Sequence, residues 1–374
     1  MSTHVRRERF FFMPTISVPL AERSYSIEIE SGILRRITDF PFPDEIAVLS
    51  NDLVAPLYAD ALCERLRASG KRVLSFNAPE GETSKSVEWL ARAWDALAEG
   101  GLRRGGCVIA VGGGVVGDWA GFVAATWMRG VEFVQIPTTL LAMVDSSVGG
   151  KTGINHARAK NLIGAFHQPS RVLIDPDCLR TLPAREMSAG LAEVIKYGVI
   201  ADAEFFNWLE RNLDKALGLN SDALQHIIAR SCEIKAQVVG EDERESDASG
   251  RRATLNYGHT VGHAIEATTH YGELLHGEAI AIGMTVAARL AIEIGTLAPD
   301  AGRELLERQT QLFERAKLPT QVPDECEFER LWAAMALDKK ARGGAVNFVL
   351  PRRIGEVMRV ENVSAEQVKN ALHT

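Results

Sequence analysis

Residues 107–118 read CVIAVGGGVVGD, an apolar run that leads directly into a glycine-rich turn. The apolar run 107–111 is typical of a strand in a parallel sheet that is covered on both faces. Gly112, Gly114 and Gly117 form a GxGxxG pattern, and a helical pattern follows over 119–127. Such a turn lets the backbone approach a pyrophosphate, which also meets the unpaired N–H groups of the helix N-terminus. The stretch therefore favours an α/β dinucleotide-binding fold, and the alternative is a tight turn that only packs helix on strand.

Two features of the stretch differ from the usual dinucleotide fingerprint. Strand-like runs precede it, and no acidic residue ends a strand about 20 residues further on. The dinucleotide interpretation therefore needs independent support.

The rest of the chain divides into two halves of different character. Strand-like runs at 45–50, 72–76, 133–136 and 171–174 alternate with helical stretches, whereas amphipathic helical patterns dominate beyond Pro183. We expect an N-terminal extension over 1–14, a Rossmann-like α/β domain over 15–183 and a mostly α-helical domain over 184–374. The late run 346–350 is interpreted either as a strand that returns to the first domain or as a hairpin of the helical one.

Composition limits the partners of this chain. With 374 residues and 46% hydrophobic content, it is long enough for about two domains. The net charge of -7 argues against a nucleic-acid partner, so clustered cations would serve small anions. Five scattered cysteines without a CxxC pair indicate a reducing compartment, and the apolar run 10–13 is too short for a signal peptide or membrane span. We expect a cytoplasmic protein without a membrane partner.

Residues 145–152, DSSVGGKT, end like a phosphate-binding loop of the pattern GxxxxGK[ST]. Asp145 stands where the opening glycine is required, but a nucleotide triphosphatase or kinase remains a competing class. Anion binding is the interpretation for Lys151, Lys160 and Asn161. The alternative interpretation is that they are solvated residues of a loop.

Three histidines within eighteen residues indicate a metal site. His259 and His263 stand four apart, on one helix face, and His276 begins another helical stretch. An imidazole cluster suits a zinc-like ion with an open position. A buried histidine pair that bonds to carbonyl groups is the alternative.

Charged residues on apolar helices could complete the site. Glu193 and Lys196 stand three apart on an apolar helical stretch, either as functional groups or as an intrahelical salt bridge. Lys235 precedes the acidic run 241–245 and by default belongs to a solvated surface.

Taken together, these segments strongly resemble the 3-dehydroquinate synthase family in order and spacing over about residues 45–355. The segments that carry the resemblance are 112–118, 137–140, 145–152, 160–161, 190–198, 256–266, 276–278 and 338–340. The resemblance implies a Rossmann-like domain, a helical metal-binding domain, and a cleft that uses NAD and zinc, with cobalt as an alternative. It also implies a cytosolic homodimer that acts on a small phosphorylated sugar acid. The implied reaction converts 3-deoxy-D-arabino-heptulosonate 7-phosphate to 3-dehydroquinate and phosphate.

The resemblance also assigns site residues. It implies that Glu193, His259 and His276 bind the metal, whereas His263 transfers protons or lies beside the phosphate, and that Glu245 is a catalytic acid. The implied substrate residues are Arg129, Lys151, Asn161, Lys196, Lys235, Arg252, Asn256 and one of Lys339 or Lys340. The implied cofactor residues are Asn51, Glu82, Lys85, Gly113, Gly114, Val115, Asp118, Thr138, Thr139, Asp145, Lys151, Lys160 and Thr181.

The sequence departs from the family at one place. The link 246–250 is longer than the usual link of the family between Glu245 and the substrate arginine. Arg251 and Arg252 are both candidates for that arginine, and Arg252 is preferred because of its distance from Asn256.

Three other functions are compatible with parts of this pattern. A related sugar-phosphate cyclase would make a valiolone or an inosose, and the presence of Lys235, Asn256 and His263 together favours dehydroquinate. A metal-dependent alcohol dehydrogenase would not need so many cations. A binding protein would not need an acid-base histidine.

Overall fold

The computed structural model describes residues 15–245, 251–269, 273–338 and 346–373. The strands are β1 (Thr15–Val18), β2 (Tyr25–Ile29), β3 (Glu45–Asn51), β4 (Arg72–Ala78), β5 (Cys107–Gly112), β6 (Glu132–Pro137), β7 (Lys151–His156), β8 (Ala159–Phe166), β9 (Arg171–Ile174), β10 (Val346–Arg353) and β11 (Glu356–Val363). The helices are α1 (Asp60–Ala68), α2 (Val87–Glu99), α3 (Gly114–Thr126), α4 (Ala184–Ala201), α5 (Ala203–Leu217), α6 (Ser221–Glu241), α7 (His259–Thr268), α8 (His276–Glu293), α9 (Pro299–Arg315), α10 (Phe328–Asp338) and α11 (Ala365–His373).

A seven-stranded sheet forms the first half of the chain. Its order is β1-β2-β9-β6-β5-β3-β4, and every neighbouring pair is parallel except β1 with β2. Ile46 of β3 lies in register with Val73 of β4 and Cys107 of β5. The five strands predicted from sequence are β3, β4, β5, β6 and β9, so the predicted α/β class is confirmed.

The side chains of the central strands alternate between two cores. Ile46 and Val48 of β3 join a large core that continues into the helical half, whereas Ala47 and Leu49 face a smaller core formed with α2 and α3. Because successive strand residues point to opposite faces, a strand without polar interruptions is covered on both sides. This double burial explains the continuous apolar runs of the sequence.

The glycine turn brings α3 close to the sheet. A Cβ on Gly112 would lie 2.6 Å from the Val116 side chain, and one on Gly117 would lie 2.7 Å from Gln135 Oε1. Two of the three motif glycines therefore serve helix-on-strand packing. The first turn of α3, from Gly114, still directs its N–H groups toward the carboxyl edge of the sheet, since a helix leaves its first four N–H groups without internal acceptors.

Helices dominate the second half, with the buried α8 at its centre, packed against α4, α7, α9 and α11. The hairpin β10–β11 packs on α8, so the late apolar run belongs to the helical half and does not rejoin the sheet. Among the described residues, no helix combines the length and apolar character that crossing a bilayer requires.

Four strands were not predicted: β1, β2, β7 and β8. Lys151 and Thr152 begin β7, and the chain then turns back antiparallel as β8. A phosphate-binding loop would require a helix directly after the lysine. The interpretation of 145–152 as such a loop is therefore wrong.

All five cysteines are free and buried. Burial raises the pKa of the Cys63 thiol to about 11 and that of the Cys232 thiol to about 12. Protonated thiols in the core are poor nucleophiles near neutral pH, and the structure gives these cysteines a packing role.

Candidate active site

Three helices bring Glu193, His259 and His276 together. Glu193 lies in the middle of α4, while His259 and His276 are the first residues of α7 and α8. The Nε2 atom of each histidine lies 3.8 Å from Glu193 Oε1, and one ligand atom from each residue falls within 4.8 Å of the others. The three side chains can therefore reach a common ion.

The environment of Glu193 fits a bound cation. Its side chain is 0% exposed, and neither carboxylate oxygen accepts a hydrogen bond from the part of the chain that the structure describes. The Lys196 ammonium, itself buried, forms an ion pair with Oε2 and leaves Oε1 facing the two histidines. A buried carboxylate oxygen without a hydrogen bond, such as Oε1, is costly, and two imidazoles with one carboxylate suit zinc or cobalt with an open position.

The hydrogen bonds of His259 fix its ligand atom. His259 Nδ1 lies 3.1 Å from the Tyr257 carbonyl oxygen, so this nitrogen carries the proton and Nε2 keeps its lone pair. Burial and the nearby Lys196 charge lower the pKa of His259 well below its ordinary value. Its imidazole is therefore neutral, the form that binds a metal.

A second group of potential ligands shares His276. His263, Glu266 and His276 also offer ligand atoms within 4.8 Å of one another, and His276 Nδ1 lies 3.2 Å from Glu266 Oε2. The His263 ring centroid is 5.2 Å from that of His259 and 6.0 Å from that of His276. Glu193 is the carboxylate without hydrogen bonds, so the first group fits an ion better, and His263 lies beside it.

A buried polar junction joins the two halves of the chain at Asp145. Asp145 lies in a helical turn after β6, and its Oδ1 accepts hydrogen bonds from Tyr197 Oη of α4 at 2.6 Å and pairs with Lys235 Nζ of α6 at 2.8 Å. Lys235 Nζ also donates to the Asp145 carbonyl oxygen at 2.6 Å. Burial alone would raise the pKa of Asp145, but the charges of Lys235 and Lys196 outweigh it and lower that pKa. The default interpretation of Lys235 as a solvated residue is wrong.

Glu245 joins two further cations. Lys151 Nζ lies 2.6 Å from Glu245 Oε1, and Arg252 Nε lies 3.5 Å from the same oxygen. Arg252 is buried, and its Nη1 donates to the backbone oxygens of Asp242, at 3.3 Å, and of Glu243. Arg251 instead forms a half-exposed ion pair with Glu241. Arg252 is thus the arginine that lies with Glu245.

The predicted cofactor residues follow the carboxyl ends of neighbouring strands. Asn51 ends β3, Gly113 follows β5, and Thr138 and Thr139 follow β6. Ligands of open α/β sheets bind at this edge, where the direction of the strand order changes. The Asn51 side chain also accepts a hydrogen bond from the Val54 N–H at 2.8 Å, so it shapes the local turn as well.

A charged cluster lies beside the first turn of α3, which contains Gly114 and Val115. The buried Lys85 ammonium lies 2.7 Å from Asp118 Oδ2 and donates to Asn161 Oδ1. Lys160 Nζ lies 3.9 Å from Glu82 Oε1. Burial raises the pKa of Asp118, although the Lys85 charge opposes this rise. Five of the predicted cofactor and substrate residues therefore meet in one place: Glu82, Lys85, Asp118, Lys160 and Asn161.

Among the residues that the structure describes, no hydrogen bond or ion pair joins Arg129, Asn256 or Thr181 to these clusters. Arg129 is exposed in the short helical turn that follows α3, and neither it nor Asn256 makes a side-chain hydrogen bond within the described ranges. Thr181 bonds instead to Tyr58 and to the Cys178 carbonyl oxygen. Lys339 and Lys340 lie outside the described residues, as does the link 246–250.

Sequence reasoning missed two polar groups of the site. Tyr197 and Glu266 both fall in segments that carry the family resemblance, but no role was predicted for either. Glu266 could have been found, because residues 259, 263 and 266 follow one face of α7. Tyr197 gave no such signal, since its bond to Asp145 depends on how α4 packs on the first half.

Comparison with known proteins agrees with this arrangement. Models of the N-terminal and C-terminal parts of 3-dehydroquinate synthase match residues 75–189 and 190–341. A 3-dehydroquinate synthase of Desulforamulus reducens is 51% identical over 349 residues, which cover 92% of this chain and 95% of the relative.

Solved structures show the same fold. The 2-epi-5-epi-valiolone synthase of Streptomyces hygroscopicus, solved with NAD+ and Zn2+ bound, has a TM-score of 0.85 at 29% identity, covering 93% of this chain and 95% of that one. A 2-deoxy-scyllo-inosose synthase, complexed with carbaglucose-6-phosphate, NAD+ and Co2+, has a TM-score of 0.86 at 24% identity, covering 96% and 99%. Since the family models span more than half of the chain and the bacterial relative matches nearly all of it, the chain belongs to the 3-dehydroquinate synthase family.

Proposed function

We propose that this protein is a 3-dehydroquinate synthase, a phosphate-eliminating lyase of aromatic amino acid biosynthesis. It converts 3-deoxy-D-arabino-heptulosonate 7-phosphate to 3-dehydroquinate and phosphate. The observation that carries the proposal is the convergence of Glu193, His259 and His276 beside a dense set of buried cations. Family membership supports the same activity.

Both cofactors have residues suited to them. Glu193, His259 and His276 would hold the divalent ion, zinc or cobalt, and the edge from Asn51 to Thr139, with the first turn of α3, would hold NAD. When bound, NAD supplies reversible hydride transfer and the ion supplies Lewis acidity at a substrate hydroxyl. Since the reaction oxidises and later re-reduces the substrate, NAD is not consumed.

The charge of the site matches the substrate. Lys151, Lys196, Lys235 and Arg252 are four cations, and they face the three carboxylates of Asp145, Glu193 and Glu245. One positive charge remains after this pairing, and a divalent ion raises the net charge of these groups to about three positive charges. A phosphomonoester and a carboxylate carry about three negative charges at neutral pH. The heptulosonate phosphate therefore offsets the positive charge of these groups, to which Arg129 and one of Lys339 or Lys340 would add, whereas an uncharged alcohol would offset none of it.

We assign proton transfer to His263 and Glu245, which lie beside the cations of the site. His263 lies beside the ligand group and is not needed as a ligand, so we assign it to proton transfer or to the phosphate. Glu245 is placed by Lys151 and Arg252, and its carboxylate accepts or returns a proton on the substrate side. Arg129, Asn161, Asn256 and one of Lys339 or Lys340 complete the substrate site in this proposal.

Two further features belong to the same proposal. The protein acts in the cytoplasm, in line with its free, buried cysteines, and it functions as a homodimer, as its family resemblance implies. The chain divides functionally near residue 183, where the last sheet strand gives way to α4.

A single assay separates this activity from its alternatives. Purified protein is incubated with heptulosonate phosphate, NAD and zinc, and phosphate, dehydroquinate and NADH are followed together. The proposal requires phosphate and dehydroquinate in equal amounts with no net NADH. Accumulation of NADH without phosphate release would instead identify a dehydrogenase, and a carbocycle formed only from another sugar phosphate would identify a different cyclase.

A further inference from the structure

The two ring nitrogens of His276 face different carboxylates. Nε2 lies 3.8 Å from Glu193 Oε1, whereas Nδ1 lies 3.2 Å from Glu266 Oε2. One nitrogen therefore faces the ligand group and the other is held from behind. Glu266 has no part in the proposed function so far.

Glu266 is itself held in place. It lies in the last turns of α7, and its side chain is 11% exposed. Its other oxygen, Oε1, lies 3.7 Å from Lys160 Nζ, which extends from the hairpin β7–β8. The hydrogen bond from His276 Nδ1 holds the Glu266 carboxylate on one side, and the Lys160 ammonium lies on the other.

His259 has a comparable arrangement with a different acceptor. Its Nδ1 is bonded to the Tyr257 carbonyl oxygen, at 3.1 Å. In both histidines an acceptor behind the ring directs Nε2 toward Glu193. Only His276 has a carboxylate in that position, and a carboxylate makes the imidazole a more basic ligand than a carbonyl does.

We propose that Glu266 is a positioning residue, which sets the tautomer and ring orientation of His276 so that Nε2 is the ligand atom. This inference rests on the proposed function, because it requires a metal ion at Glu193, His259 and His276. The outer carboxylate stays out of the coordination sphere and acts only through the histidine. Loss of such a partner typically weakens metal binding by about 10- to 100-fold.

The test measures zinc affinity of the purified protein without substrate, by competition with a chelator. We expect Glu266→Ala to weaken zinc binding by about 10- to 100-fold, and Glu266→Gln to weaken it less, because an amide oxygen still accepts the Nδ1 proton. Glu45→Gln is the matched control, since Glu45 is a buried carboxylate bonded to Arg103 at the other end of the strands. Its zinc affinity should equal that of the unmodified protein.

Cobalt absorption gives a second measurement. Loss of orientation at His276 should change the visible spectrum of the cobalt-loaded Glu266→Ala protein, and the Glu45→Gln spectrum should stay unchanged. If Glu266→Ala does not fold, Glu266→Gln carries both measurements.

The outcomes separate the inference from the function. Zinc affinity within twofold of the unmodified protein in both Glu266 variants would overturn the role of Glu266 alone. Equal loss of zinc in Glu266→Ala and His263→Ala, with retention in His259→Ala, would overturn it by making Glu266 a ligand. An unmodified protein that binds no zinc would overturn the inference and the metal requirement together.

Discussion

Gly277 packs against the backbone of Ala189 so closely that a Cβ on Gly277 would lie 1.9 Å from the Ala189 carbonyl oxygen. Gly277 is the second residue of α8 and follows His276, while Ala189 precedes Glu193 by one turn of α4. The approach of α8 to α4 therefore sets the separation between two of the proposed ligands. The glycine between His276 and Glu278 is a requirement of this packing.

We predict that Gly277→Ala destabilises the protein and weakens zinc binding, because the added methyl group forces α8 away from α4. Overpacking against rigid backbone costs about 1–3 kcal/mol or more in the free energy of unfolding. Gly105→Ala is the control, since a Cβ there meets nothing within 4 Å and its φ is not positive. Denaturant unfolding and chelator competition measure both effects. Unchanged zinc affinity in Gly277→Ala would mean that this contact does not set the site.

Much of the fold could be predicted from sequence because burial leaves a clear pattern. Strands β3, β5 and β6 are covered on both faces, so they read as apolar runs. The hairpin β7–β8 escaped prediction because no residue of β8 is buried and Lys160 and Asn161 interrupt its apolar pattern, which made its segment resemble a loop. The start of the hairpin, Lys151 and Thr152, also ended the competing pattern of a phosphate-binding loop, which the antiparallel pairing contradicts.

The two nearby histidines should separate metal binding from turnover. His276→Ala removes a proposed ligand, so we predict loss of zinc retention after purification. His263→Ala leaves Glu193, His259 and His276 in place, so we predict bound zinc and a large fall in turnover. Metal content by atomic absorption and release of phosphate measure the two effects. Equal zinc loss in both variants would favour the group of His263, Glu266 and His276 as the ligands.

The site was less predictable than the fold because its contacts cross between elements distant in sequence. Spacing on α7 joined His259 with His263, but only tertiary packing brings Glu193 to His259. Likewise, the sequence distinguishes Arg252 from its neighbour Arg251 only by its distance from Asn256, whereas the structure separates them by burial.

The Tyr197 hydroxyl should matter through Asp145. We predict that Tyr197→Phe lowers kcat/KM by about tenfold, because a hydrogen bond to a charged acceptor contributes about 1.5–3 kcal/mol and holds Asp145 beside Lys235. A double-mutant cycle with Asp145→Asn tests the route of the effect. The double variant should be little worse than Asp145→Asn alone. Additive losses would contradict an action through Asp145.

A surface ion pair holds the backbone that supports Arg252. Arg23, between β1 and β2, places its Nη2 2.6 Å from Glu243 Oε2, and Gln168 Nε2 lies 3.0 Å from Glu243 Oε1. The hydrogen bond from Arg23 lowers the pKa of Glu243, so the carboxylate is charged at neutral pH. The carbonyl oxygen of the same residue accepts a hydrogen bond from Arg252. Glu243 therefore contacts both Arg23 of the first half of the chain and Arg252, a proposed substrate residue.

We predict that Glu243→Ala raises KM for the phosphorylated substrate by about fivefold, the equivalent of one lost hydrogen bond, with a smaller change in kcat. Thermal stability should change little, since the Arg23 side chain is more than half exposed and ion pairs at the surface contribute little to the free energy of unfolding. Glu88→Ala is the control, because it removes an exposed pair with Arg92 on α2, outside the residues assigned to the site. Steady-state kinetics and thermal unfolding of both variants measure the difference. If Glu243→Ala has the KM of Glu88→Ala, then Arg252 keeps its position without Glu243, and the ion pair with Arg23 does not serve substrate binding.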